Sequence, residues 1–220
     1  MKSNSHKRPK PAASEARSTP VSYALYSDRR FDIVAIGASA GGLHALGTVL
    51  SPIASNFPSS ILVVQHLDPH HKSLMGDLLG RQTKLRVKQA EHGEVILPGF
   101  VYIAPPDEHL LVGPGKIQLA HSQLVHYSRP SIDLMFESVA GTYGSRSVGV
   151  VLSGSNKDGA AGIRTIHEAG GVTLAQQPEH AEFRTMPQAA IATGCVDRVV
   201  ELAEMAAVLT ELCTGTRVLR

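Results

Sequence analysis

The sequence predicts an α/β fold, a doubly wound and mostly parallel sheet with helices on both faces and an inserted antiparallel hairpin region. Short β-rich runs alternate with helix-length segments over most of the chain, and parallel strands need such crossovers. Between Leu85 and His121 that rhythm breaks into turn signals separated by β-prone runs, as hairpins require.

Taken in order, the first strand is expected at Ile33 to Ile36, followed by a helix at Leu43 to Leu50. The second pair is Ile61 to Gln65 and Lys72 to Leu79. Within the irregular middle, Phe100 to Ile103 and Lys116 to Leu119 are expected as hairpin strands, flanked by Glu91-His92-Gly93-Glu94, Leu97-Pro98-Gly99 and Val112-Gly113-Pro114-Gly115. A helix follows Arg129-Pro130-Ser131-Ile132-Asp133, with Leu134, Phe136, Val139 and Ala140 as its apolar face. Val148 to Leu152 then precedes Ala160 to Ala169, Val172 to Ala175 precedes Pro187 to Thr193, and Val196 to Val200 precedes Leu202 to Leu212.

The 220 residues, 43% hydrophobic and 18% charged, suffice for one substantial core. Residues 1–28 contain Lys7-Arg8-Pro9-Lys10-Pro11 and few large apolar side chains, so they are expected to form a disordered basic tail ahead of a single domain at 29–220. A net charge of +2 is too mild to argue for nucleic acid. The two cysteines, Cys195 and Cys213, have neither Cys-x-x-Cys spacing nor partners suited to a zinc site, which fits a reducing cytoplasm. No apolar run approaches the roughly 18 residues that span a bilayer, and no signal-peptide pattern precedes the domain, so no membrane insertion is expected.

Sites on parallel sheets form where strands end at their carboxyl edge. The first strand runs into Gly37-Ala38-Ser39-Ala40-Gly41-Gly42, a sharp strand-to-helix turn that presents a serine hydroxyl above the sheet. The second ends at His66, and the strand from Val148 leads to Ser153-Gly154-Ser155-Asn156-Lys157-Asp158-Gly159. Serine, histidine and aspartate at neighbouring strand ends suit acyl transfer: Ser39 attacks, His66 moves the proton and Asp158 orients the imidazole. The N–H of Ala40 opens a helix that can supply oxyanion donors. The order Ser, His, Asp differs from that of α/β-hydrolases.

Other readings of these residues exist. The glycine-rich turn can cradle a nucleotide phosphate, although it misses Gly-x-Gly-x-x-Gly spacing and no acidic residue follows the second strand. Asp158 is placed to cap the helix at Ala160 to Ala169. His66-x-Asp68-x-His70-His71 invites a metal, but its spacing matches no ligand signature and no metal is expected. His109, His121 and His126 are expected on the solvated surface.

These motifs resemble the catalytic domain of CheB-type chemotaxis receptor methylesterases. The likeness extends from about Phe31 to Leu202 through Ile36 to Gly42, Val64-Gln65-His66, Glu91-His92-Gly93, Leu97-Pro98-Gly99, Tyr102 to Pro105, Arg129 to Asp133, Val150 to Gly159 and Met186 to Ile191. The resemblance implies a nucleophile at Ser39, a histidine at His66, an aspartate at Asp158 and an oxyanion donor at the Ser155 N–H, with Gly41 also lining the substrate side. It also implies cofactor-free hydrolysis of glutamate methyl esters on a chemoreceptor-like partner, with glutamine deamidation as a second activity. A catalytically weak scaffold that binds a helical partner through the same cleft is the alternative, beside a nucleotide-binding regulator.

Two departures stand out. Asn156 replaces a glycine common in the family and Lys157 adjoins the aspartate, while Arg184-Thr185 stands where a glycine usually precedes the Met-Pro pair. About 30 residues before the first strand are too few for a receiver domain, so the resemblance implies an enzyme without phosphorylation control, one controlled by a regulatory protein in trans, or one of the branch whose esterase unit works beside a methyltransferase.

Overall fold

In β1 (Ile33–Ala38) every residue is buried, because side chains alternate between two covered faces of a parallel sheet. The computed structural model describes residues 31–66, 74–125 and 128–215. On one face Val34, Ile36 and Ala38 enter a core completed by helices; on the other, Ile33 and Ala35 enter a second core.

The chain continues through α1 (Gly42–Leu50), β2 (Ser60–Gln65), α2 (Met75–Gly80), β3 (Arg86–Gln89), β4 (Phe100–Ile103), β5 (His109–Gly113) and β6 (Lys116–Ala120). It then forms α3 (Ile132–Tyr143), β7 (Ser147–Val151), α4 (Ala160–Glu168), β8 (Val172–Gln176), α5 (Thr185–Ala192), β9 (Arg198–Val200) and α6 (Met205–Thr214). The main sheet has seven strands in the order β3-β4-β2-β1-β7-β8-β9, all paired in parallel, and β5-β6 forms a separate antiparallel hairpin.

From β1 the chain winds outward in both directions, so the carboxyl ends of β2, β1 and β7 meet at the reversal of strand order, the position where such sheets place their sites. Residues of α1, α2 and α6 complete one core, with Leu46, Leu79 and Leu209 packed against the sheet. The other core holds residues of α3, α4, α5 and the hairpin, including Phe136, Ile163, Met186 and Leu110. Gly37 lets α3 approach β1, since a β-carbon there would lie 2.3 Å from the Ile132 side chain.

The expected fold class holds, with one correction inside it. Phe100 to Ile103 is not a hairpin strand: β4 pairs in parallel with β2 and β3, while the hairpin is β5-β6 alone. Its Val101, Tyr102 and Ile103 are buried, so the turn signals around it mark crossings between parallel strands. The last helix begins at Met205, after a 3-10 turn at Leu202–Glu204. In α5 the helix starts two residues before Pro187, which its first turn accommodates. No helix among the described residues is long and apolar enough to cross a membrane.

Candidate active site

β1 delivers Ser39, β2 delivers His66 and the loop after β7 delivers Asp158. The His66 N–H donates to the Ala38 carbonyl at 3.2 Å, which seats the histidine beside the turn that follows β1. Ser39 N–H donates to Ser153 O at 2.9 Å, and the Ser153 hydroxyl donates to Ala40 O at 2.8 Å, tying the turn to the end of β7. Ser39 O accepts from Gly42 N–H at 2.8 Å and from Gln65 Nε2 at 2.6 Å. Because Gln65 Nε2 also donates to His66 O at 3.1 Å, one amide clamps the backbones of both residues. Gly41 adopts φ 73°, and its missing β-carbon leaves room for Ser153 Oγ and Glu182 Oε2, each 2.8 Å from where that carbon would stand.

Asp158 is 1% exposed, and its carboxylate is crowded with donors. Oδ2 accepts from His66 Nε2 at 2.9 Å and from Ile132 N–H at 2.8 Å. Oδ1 accepts from Asp133 N–H at 2.9 Å, Gly159 N–H at 3.1 Å and the Ser131 hydroxyl at 3.2 Å. Burial by itself pushes this carboxyl up, but the hydrogen bonds from His66 and the α3 amides outweigh it and hold it below the ordinary carboxylate range. Asp158 therefore serves the N-terminus of α3, not mainly that of α4 as its position in sequence suggests. The α4 end is served by Asp133, whose Oδ1 accepts from Gly159 N–H at 2.9 Å and Gly162 N–H at 2.7 Å.

The imidazole's protonation pattern follows from its neighbours. Asn156 Oδ1 accepts from Asp158 N–H at 3.1 Å, which orients the amide so that its Nδ2 donates to His66 Nδ1, also at 3.1 Å. Nδ1 is thus the bare nitrogen, and the ring proton sits on Nε2 toward Asp158. His66 and Asp158 are joined; the Ser39 hydroxyl, by contrast, bonds to nothing among the described residues. Ser39 packs against the loop that carries Asn156 and Asp158, its β-carbon 3.0 Å from where a β-carbon on Gly154 would be. The N–H groups of Ala40, Gly41 and Ser155 face no acceptor among the described residues, while Gly154 N–H is taken by Phe183 O at 2.9 Å.

Sequence reasoning missed three contributors. Gln65 is the polar end of an otherwise apolar strand, which was the available signal. The Ser131-Ile132-Asp133 segment stood out only as a helix start, and Asn156 only as a departure. Asn156 does not take positive φ, so its replacement of glycine is not a backbone matter. His109 is fully buried, contrary to the surface expectation: its Nδ1 accepts from Ser131 N–H at 3.0 Å and its Nε2 donates to Gln123 O at 3.0 Å. His121 is exposed, and His126 lies outside the described residues, as do Asp68, His70 and His71. Among the described residues no group of histidine, cysteine or acidic side chains is arranged to hold a metal. A phosphate cradle at Gly37 to Gly42 is disfavoured by the Glu182 carboxylate standing against Gly41.

Residues 34–209 match the family described as CheB methylesterase. The chain is 37% identical over 183 residues to a protein of Leptospira interrogans named putative protein-glutamate methylesterase/protein-glutamine glutaminase, covering 83% of this chain and 95% of that one. It is 40% identical over 183 residues to protein-glutamate methylesterase/protein-glutamine glutaminase 2 of Anaeromyxobacter dehalogenans, where it spans 54% of the relative's length. The crystal structure of the Thermotoga maritima CheB methylesterase catalytic domain superposes with a TM-score of 0.79 at 35% identity, covering 83% of this chain and 98% of that one.

Proposed function

The chain belongs to the CheB methylesterase family, and from that premise we propose that it hydrolyses glutamate methyl esters on a chemoreceptor-like protein through an acyl-enzyme on Ser39. The observation that carries this reading is the buried Asp158 bonded to His66 Nε2, which leaves Nδ1 as the unprotonated nitrogen of a histidine whose backbone is hydrogen-bonded to the end of β1 just before Ser39. Ser39 Oγ attacks the ester carbonyl while its proton passes to His66 Nδ1, and Asp158 stabilises the resulting imidazolium. The oxyanion accepts hydrogen bonds from the N–H groups of Ala40, Gly41 and Ser155. The proton on Nδ1 then leaves with methanol, and water repeats the sequence to release the carboxylate and free Ser39. A glutamine side chain enters the same cycle with ammonia as the leaving group. No step needs a cofactor.

One observation favours a second reading, a scaffold that binds a helical partner without turnover: the Ser39 hydroxyl lacks a hydrogen bond among the described residues. Methanol release from methylated receptor cytoplasmic fragments decides between them. Wild type releases methanol and Ser39→Ala loses about four or more orders of magnitude in turnover; equal rates overturn the esterase. Fluorophosphonate labelling at Ser39 that disappears in His66→Ala is the accompanying expectation.

A further inference from the structure

We propose that Asn156 is a positioning residue that locks the base in its resting state, an inference that rests on the hydrolase reading above. An unprotonated imidazole nitrogen has a single in-plane lone pair, and at His66 Nδ1 that pair accepts from Asn156 Nδ2 at 3.1 Å. The other ring nitrogen carries its proton toward Asp158 and cannot act as base. A hydrogen bond from Ser39 to Nδ1 therefore excludes the one from Asn156, and in this structure Asn156 holds the place while the Ser39 hydroxyl stands without a partner among the described residues.

The lock does not bear on the Asp158 carboxylate. Asn156 Oδ1 accepts from the Asp158 backbone N–H at 3.1 Å and makes no bond to the carboxylate, so withdrawal of the amide leaves the hydrogen bonds of the Asp158 carboxylate in place. Its neighbours Ser155 and Lys157 are exposed, so this loop is open to contact from a substrate. Contact with Ser155 to Lys157 withdraws the amide, and the serine hydroxyl takes over Nδ1 with no change in the histidine tautomer. A glycine at 156 has no amide with which to do this.

The test compares wild type with Asn156→Gly and Asn156→Ala. Trading one neutral hydrogen bond for the serine's own predicts fluorophosphonate labelling about threefold to tenfold faster in both variants. A second measurement needs no turnover: in a Ser39→Ala background, removal of the Asn156 amide moves the 15N signal of His66 Nδ1 downfield, as expected for a nitrogen that has lost its donor. Labelling that is unchanged or slower in both variants, or an Nδ1 signal that does not move, overturns the lock while leaving the hydrolase reading intact. Wild type and both variants all without label overturn the hydrolase reading and the lock together. Label absent from wild type and present in the variants supports both.

Discussion

The N-termini of α3 and α4 are closed by buried carboxylates, whereas that of α1 is left open. Asp158 takes the first amides of α3 and Asp133 those of α4, each helix fastened by the acidic residue at the start of the other. At α1 no side chain caps the helix, and the amides of Ala40 and Gly41 remain unpaired among the described residues. Helix ends favour negative charge by the same physics in all three cases. Where that charge is supplied permanently the fold gains rigidity under the imidazole; where it is withheld, the amides stay free for the oxyanion of the mechanism proposed above.

The sharpest way to break this contrast is Asp158→Asn, which removes the charge from the closed end and the orienting partner from His66. Turnover in the methanol-release assay is expected to fall about ten-thousandfold. Gly41→Ala attacks the open end. Its β-carbon meets Ser153 Oγ and Glu182 Oε2 in a left-handed conformation, so stability in urea is expected to fall by about 1–2 kcal/mol. Turnover is expected to fall about tenfold to a hundredfold as the Ala40 and Gly41 amides tilt.

Asp133→Ala sharpens the comparison by removing a cap that touches no reacting group. It strips the acceptor from Gly159 and Gly162, with an expected loss of about 1–3 kcal/mol in the same unfolding measurement. Turnover per folded molecule is expected to change far less than in Asp158→Asn.

The smallest effect is in acid. Because folding lowers the Asp158 carboxyl, the unfolded chain takes up its proton first. The stabilisation is therefore complete above the ordinary aspartate value near pH 4 and is lost as the pH falls through the lower folded value. Unfolding curves of wild type and Asp158→Asn should converge as the pH drops; a constant gap contradicts the assignment.

Much of this site was readable before folding. Ser39 and His66 follow closely on β-rich runs and Asp158 lies in the loop after another, and strand alternation alone brings such ends to one edge of a parallel sheet. The course of the middle segment was less readable. Phe100 to Ile103 carries the same apolar pattern whether it pairs in a hairpin or in parallel, and only burial on both faces separates the two. His109 shows the same limit from the other side, since one polar residue in a β-prone run gives no sign of which hydrogen bonds await it.

Local pattern by itself determined the layered α/β architecture, the serine turn and the three residues at the strand ends, because periodicity and turn chemistry act over a few neighbouring positions. Only the tertiary structure decided which helix Asp158 serves, which ring nitrogen of His66 is bare and what faces it. Those outcomes depend on donors from Ile132 and Asp133 to Asp158, each more than 20 residues away from it, on the Asn156 amide that donates to His66, and on burial that makes an unpaired polar group costly.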